Sequence, residues 1–414
     1  MTMFENIPVS DDKVTDEAAR APITLFDYSS SNPDDTQREP GLILTKEQLK
    51  NLKRYEIAAL ALPTDITDVI NYLGYETGAG RGLEAGDFQK TFKVIHTHAS
   101  QWNPLRVDLL SVGSRLQVFA GEMQIYGSTM EETYEEVRAL NTLQEYNIKT
   151  LEDVRKLELS LGSKFPGINL DRQDKETISE FSYYLDEIFR RVKQREAEAI
   201  GIQQRLEVFS FQLSNHVAPQ IKQKITGIDN NDLADQVKTL NEAIEARAKS
   251  IDEKTKEYKE AVKQALSSAA GLNIVGLAMS IYIGVEAEKI RKERDALRAQ
   301  QERDIAAMRT KNQIIASLNR VRLDLQDLDL IVIDADIATK NLATVWNKLT
   351  IFIEQSSRSV DGINDALTLR RFMTQFRLVV NPWVTIEKNA NELLAVFKQA
   401  DSEFREEYER QRYA

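Results

Sequence analysis

The fold class this sequence predicts is all-α: an elongated bundle of long helices with an antiparallel helical stalk protruding from it. Three observations predict it. Only 17 Gly and 9 Pro occur in 414 residues, while the strong helix formers Leu, Ala, Glu, Lys, Gln and Arg are abundant. Apolar residues recur at alternating spacings of four and three through several long segments, the signature of coiled-coil-type seams. One 21-residue window, ALSSAAGLNIVGLAMSIYIGV (265–285), has no charge in a chain that is 29% charged and has a mean hydropathy of −0.41.

Residues 1–40 carry nine acidic and three basic residues and four prolines, Pro8, Pro22, Pro33 and Pro40. This composition predicts a flexible acidic arm, 1–42, with too little apolar surface to offset its ordering entropy. Thr45-Lys-Glu-Gln48 has capping-box form and starts a helix that runs to about Leu73, kinked or broken by Pro63. The stretch GYETGAGRGLEAGD (74–87) is glycine-rich. A helix precedes it and no GK[ST] follows, so it reads as a helix–helix loop and not a phosphate loop.

Asn103-Pro104 opens the first long helix, with its seam at Leu105, Leu109, Val112, Leu116, Phe119, Met123, Tyr126, Met130, Val137 and Leu140, and Thr133 the one polar member. After a break at GSKFPGIN (162–169), a second helix repeats the pattern through Phe181, Leu185, Ile188, Val192, Ala199, Ile202, Leu206, Phe209 and Leu213, until Pro219 ends or bends it. A third begins after Asn230-Asn231-Asp232 and reaches the uncharged window. Beyond the window, residues 286–304 are dense in charge and helical. The last long helix has the tightest seam, from Leu318 and Val321 to Leu349 and Ile353. A short helix to Val380, a turn at Asn381-Pro382 and an amphipathic helix over roughly 383–409 complete the chain. At about 1.5 Å per residue a 44-residue helix is about 66 Å long, too long for a compact globule, so the rods lie side by side.

The arms 232–264 and 286–318 flank the window and have similar lengths, so they form an antiparallel hairpin. Its return arm is poor in apolar seam residues, with Arg294, Gln301 and Asn312 among them. This predicts a slender, water-exposed stalk (231–319) ending in an apolar tongue (265–285), set on a tail formed by 43–230 and 320–414. As a helix the window would extend about 31 Å, close to the hydrocarbon thickness of a bilayer. Its candidate membrane-contact residues are Leu272, Ile274, Val275, Leu277, Met279, Ile281, Tyr282, Ile283 and Val285. Gly271, Gly276, Ser280 and Gly284 are candidate hinge or close-packing positions. Lys256, Lys259, Lys263, Lys289, Arg291 and Lys292 flank it and can meet headgroups. Ser267, Ser268, Asn273 and Ser280 make it a poor permanent span. The expectation is a tongue docked in water and opened at a membrane, with a buried hairpin turn as the plainer reading. A helical turn is normally short and polar, and this one is neither.

Composition also excludes. Net charge is −11, which argues against nucleic acid as a partner. The absence of cysteine excludes disulfides and thiol chemistry. The N-terminus MTMFENIPVSDDK is no secretory signal, so a secreted life requires another export route. His96 and His98 lack a third ligand at metal spacing and read as loop or surface residues, and His216 reads as a seam packing residue. No acid/base pair, nucleophile or cofactor motif has the context that chemistry needs, so the sequence predicts no enzyme, cofactor or metal.

The acidic arm before ILTKEQL (43–49), the paired long helices and the tongue AAGLNIVGLAMSIYIGVEAEKIRKERD (269–295) together resemble the ClyA-type α-helical pore-forming toxins. Within them the chain looks like the A component of the binary XaxAB/YaxAB-type cytotoxins. The resemblance covers nearly the whole chain and rests mainly on the tongue and its position. It implies a soluble, secreted protein that engages a target-cell membrane through Leu272–Val285. It also implies a B component as partner, with which the chain assembles into a hetero-oligomeric ring that forms a lytic pore. The stalk flanks would swing and bind neighbouring subunits. The competing class is a structural or tethering coiled-coil protein with an apolar hairpin tip or a single membrane anchor.

Overall fold

Helix ends follow local capping chemistry. In the computed structural model, the Gln48 backbone N–H donates to Thr45 Oγ1 at 3.3 Å and the Thr45 N–H donates to Gln48 Oε1 at 2.8 Å. This reciprocal pair is the capping box read from the sequence. The structure describes residues 12–30, 44–77, 80–227, 234–268 and 285–388, together with 390, 395, 399–400, 402–404 and 406. The helices are α1 (Asp12–Ser30), α2 (Lys46–Leu60), α3 (Ile66–Leu73), α4 (Ala85–Glu135), α5 (Ala139–Glu145), α6 (Leu151–Leu161), α7 (Arg172–Gln212), α8 (Ala218–Gly227), α9 (Asp235–Ser268), α10 (Val285–Arg309), α11 (Gln313–Val360) and α12 (Ala366–Val380). Among the described residues the one β feature is an isolated bridge between Asn169 and Asp365. The all-α long-helix bundle is the observed class.

Several boundaries differ from expectation, each for a physical reason. Residues 12–30, assigned by composition to a flexible arm, form α1. Nine acids spread over forty residues leave a stripe at Ala18, Ala21, Leu25 and Phe26, and that stripe is buried. Glu17 on the same helix pairs with Lys348 at 2.5 Å. Residues 1–11 and 31–42 of that arm lie outside the described residues. α4 does not open at Asn103-Pro104 but runs through Pro104 from Ala85. Pro63 does separate α2 from α3, whose N-cap is Asp65. Near Pro219 the α7 ladder widens into a π-turn, Leu213–Val217. The proline ring would clash with the carbonyl four residues back, and a wider turn relieves that contact.

The chain divides into two compact units. The first comprises 1–27, 113–199 and 341–392. Its core is aromatic: the Phe119 ring meets Trp346 and Trp383 edge-on at 4.9 and 4.8 Å, and the two indoles stack at 5.9 Å. Phe181 stacks on Phe372 at 5.7 Å. The second unit comprises 28–112, 200–340 and 393–414. Within it, Ile244 and Ile251 of α9 pack with Ile305 and Met308 of α10 and with Ile315 and Leu323 of α11. A further cluster joins Tyr258, Val262, Ala287, Ile290, Leu330 and Ile337. The seam positions predicted on α11, from Leu318 to Ile353, are all buried.

Candidate functional site

The uncharged window interrupts a helical hairpin. α9 ends at Ser268 and α10 begins at Val285. The two arms are antiparallel: Thr255 accepts from Arg294, Arg247 donates to Gln301, and Lys311 donates to Gln236. The hairpin predicted from the two flanking arms is therefore present. Of the candidate membrane-contact residues, Leu272, Ile274, Val275, Leu277, Met279, Ile281, Tyr282 and Ile283 lie outside the described residues, as do Gly271, Gly276, Ser280 and Gly284. Val285 is the first residue of α10. Among the described residues, no helix is long and apolar enough to cross a membrane.

The structure adds what holds the hairpin's base. Three aspartates on α11, Asp324, Asp327 and Asp334, are almost fully buried. Asp334 accepts from Tyr258 Oη of α9 at 2.7 Å, from Arg291 of α10 at 2.6 Å and from Gln48 Nε2 of α2 at 2.6 Å. Four helices thus meet at one carboxylate. The Arg291 guanidinium also lies 5.3 Å from the centre of the Tyr258 ring. One turn along, Arg294 is 1% exposed. It donates to Asp327 at 3.0 Å, to the Gln326 carbonyl at 2.6 Å and to Thr255 Oγ1 at 3.1 Å. Arg298 pairs with the other oxygen of Asp327 and reaches Asn51 of α2 at 3.2 Å. Gln301 is buried as well, its amide donating to the Ile244 carbonyl at 2.9 Å.

Arg294 and Gln301 therefore do not face water, as their polarity led one to expect. A polar side chain on a seam is compatible with burial when its partner is supplied by another helix. Lys259 and Arg291 were candidates for headgroup contact. Here Lys259 pairs with Asp329 at 2.8 Å and Arg291 with Asp334. Lys256, Lys263, Lys289 and Lys292 are exposed. The signal for the docking lay in α11. Its acids at 324, 327 and 334 share one face by helical spacing, and the arginines at 291, 294 and 298 share one face of α10.

Burial shifts the acidity of several groups in the second unit, Asp324 and His98 among them. Burial pushes the Asp324 carboxyl up to about 6, against the opposing attraction of Arg320, whose Nε donates to it at 3.1 Å. His98, expected on a loop or the surface, sits inside α4 and is buried. The Phe209 carbonyl can only accept, so His98 Nε2 carries the proton and donates to it at 3.2 Å, and Nδ1 accepts from the Tyr55 hydroxyl at 2.6 Å. Burial lowers the His98 pKa to about 4, with the Phe209 bond opposing. The ring stacks on Phe209 at 4.1 Å. His216, expected on a packed seam, is exposed in the π-turn. Among the described residues no group of three or more His, Asp or Glu is placed to hold a metal. In the glycine-rich stretch, Gly82 receives the Lys224 ammonium on its carbonyl, and Ala85 already begins α4.

No protein-family model matches the chain, and no curated protein does. Among solved structures, the chain is similar to YaxA from Yersinia enterocolitica, at 25% identity over 88% of this chain and 100% of that one, with a TM-score of 0.47. It is similar to a chain of the XaxAB pore complex from Xenorhabdus nematophila, at 24% identity over 88% and 100%, with a TM-score of 0.43. It is also similar to soluble SmhA of the tripartite alpha-pore forming toxin Smh from Serratia marcescens. There the identity is 12% over 94% and 97% of the two chains and the TM-score is 0.51. The likeness to SmhA shows a shared fold.

Proposed function

We propose that this protein is a non-enzymatic component of an α-pore-forming cytotoxin. It meets a target membrane through the apolar window and assembles there with a B component of similar helical build into a lytic ring. The observation that carries the reading is a conjunction. An uncharged 21-residue window joins the two arms of a hairpin, in a chain that shares its fold with SmhA, a soluble component of a tripartite alpha-pore forming toxin. Ten large apolar residues in that window have no place bare in water. A permanent anchor fits them poorly, because polar residues and glycines interrupt the run.

In this reading the hairpin, 231–319, is the working part, with 43–230 and 320–414 as its support. Leu272, Ile274, Val275, Leu277, Met279, Ile281, Tyr282, Ile283 and Val285 contact lipid, while Gly271, Gly276, Ser280 and Gly284 allow the window to change conformation. The protein is exported and is water-soluble before it meets lipid. Water favours one conformation of the window, and lipid with the B component favours another, so differential binding drives the change.

The test is dye release from liposomes with and without a candidate B protein, using the parent chain and the Ile274→Asp/Ile281→Asp double variant. The parent is expected to sediment with liposomes and, with B, to release dye. The double variant is expected to keep its helicity and lose liposome binding. Equal sedimentation of the two would refute a role for the window, and equal release without this chain would refute the two-component assembly.

A further inference from the structure

Beside the π-turn, α8, α9 and α11 line a cavity of about 510 Å³ within the second unit. Its floor is apolar: Leu213, Ile221 and Leu325 line it and are 2%, 1% and 4% exposed. The space has a local cause. α7 passes into α8 through the wide turn Leu213–Val217, where the Ala218 N–H donates to the Leu213 carbonyl five residues back. Such a turn breaks the regular helical ladder, and turns of this kind recur at functional sites.

The charges around this cavity are unequally compensated. Asp329 takes the Lys259 ammonium at 2.8 Å. Asp252 accepts from the Gln326 amide at 2.6 Å and has Arg322 at 3.9 Å. Arg322 is held in turn by Glu245 at 2.7 Å. Lys222 of α8 and Lys256 of α9 also line the cavity, and both are exposed. Among the described residues neither ammonium has an acidic partner. Two uncompensated cations on different helices thus rim an apolar floor. A cavity of this size, mostly apolar with a few convergent polar groups, has the anatomy of a small-molecule site. Two ammoniums match a phosphate monoester, which carries about −1.5 to −2 charges at neutral pH, better than they match the single charge of a carboxylate.

We propose that this cavity binds an amphiphilic phosphate monoester, with the phosphate between Lys222 and Lys256 and the apolar body on Leu213, Ile221 and Leu325. Charge-assisted hydrogen bonds from the two ammoniums hold the head, and burial of the body adds area-dependent affinity. The same chemistry is offered by a phosphorylated lipid and by a free alkyl phosphate. The site uses neither the uncharged window nor a second chain, so it stands or falls separately from the toxin reading.

The test is isothermal titration calorimetry of the full chain with decyl phosphate below its micelle concentration, with glycerol phosphate and with decyltrimethylammonium. One saturable decyl phosphate site is expected, roughly tenfold tighter than either of the others. Glycerol phosphate lacks the apolar body, and decyltrimethylammonium reverses the charge of the head. Dioctanoyl phosphatidic acid separates the two sources: tighter binding than decyl phosphate assigns the site to a lipid head and weaker binding assigns it to a free ester, and each supports phosphate recognition. Lys222→Gln/Lys256→Gln, at two exposed positions, is expected to weaken decyl phosphate roughly tenfold and to leave the urea midpoint unchanged. Lys222→Glu/Lys256→Glu is expected to reverse the preference toward decyltrimethylammonium. Ser214→Trp, at an exposed position that lines the cavity, is expected to abolish binding by filling the space. No saturable binding by the parent, or glycerol phosphate binding as tightly as decyl phosphate, would overturn the proposal. So would equal decyl phosphate affinity of the parent and the glutamine variant, which would place the ligand elsewhere on the chain.

Discussion

The two compact units solve the same problem with different chemistry. In the first, the centre is a cluster of rings, with Phe119 edge-on to Trp346 and Trp383 and Phe181 stacked on Phe372. In the second, the centre of the α9–α10–α11 contact is a row of arginines and aspartates. Rings hold by area and dispersion and tolerate changes of pH and salt. Buried charges hold by partner identity, and a missing partner leaves an uncompensated ion. The difference separates a core that depends on packed area from one that depends on the identity of each charge's partner.

Paired truncations break this comparison with the largest effect. Phe119→Ala should cost about 3–5 kcal/mol, as buried aromatic truncations do. Asp327→Ala removes the acceptor of Arg294 and Arg298 and should cost about 3–5 kcal/mol by stranding buried charge. Urea unfolding measures both. They differ in salt response: raising the salt should leave the Phe119→Ala deficit unchanged and alter the Asp327→Ala deficit. Matching salt responses would dissolve the contrast between the units.

Acidity sharpens the comparison next, since both strongly shifted buried groups described above lie in the second unit. Asp324 has a raised pKa in the fold, near 6, so the folded state takes up a proton as pH falls through about 6 and gains stability relative to the unfolded chain. His98 has a lowered pKa, near 4. Its contribution is complete above about 6.5 and is lost as pH falls toward 4. The two effects oppose each other over the same window, each worth about 2 kcal/mol between pH 7 and 4.5. Relative to the parent, His98→Gln should therefore gain stability on acidification and Asp324→Asn should lose it. Thermal unfolding at a series of pH values reads both, and parallel curves for parent and variants would show that neither group titrates in this way.

The smallest expected effect is in the first unit. A Cβ at Gly127 would lie 2.6 Å from Val380 Cγ1, so α4 and α12 approach where only glycine fits. Gly127→Ala gains about 1 kcal/mol of helix propensity and loses about 1–3 kcal/mol to overpacking. A net loss of about 1 kcal/mol is expected by urea unfolding, and pairing it with Val380→Ala should restore the parent's stability. A single variant more stable than the parent would show that the two helices can part freely there.

Much of the fold was legible in the residues. The Thr45–Gln48 capping box, the Pro63 break and the seams of α7 and α11 each stand where local chemistry puts them. The hairpin was legible as well, from two arms of similar length around an uncharged window. Other features were not. Averaging charge over 1–40 hid the apolar stripe of α1. Reading Arg294 and Gln301 as water-facing was reasonable for an isolated hairpin, and it failed because α11 supplies Asp327 and α9 supplies the Ile244 carbonyl. His98 gave no local sign that Tyr55 and the Phe209 carbonyl would satisfy both its nitrogens.

Periodicity is a property of one segment, and from it came the helices, their ends and the face each turns inward. Pairing is a property of two segments far apart in the chain. Which inward face meets which other, and whether an arginine on that face is a defect or a key, was settled only when α2, α9, α10 and α11 converged on Asp334. The physical reason lies in the range of the forces. Capping and side-chain periodicity act within a turn or two of helix. The cost of burying a charge is decided by whatever the rest of the chain brings within hydrogen-bonding distance of it.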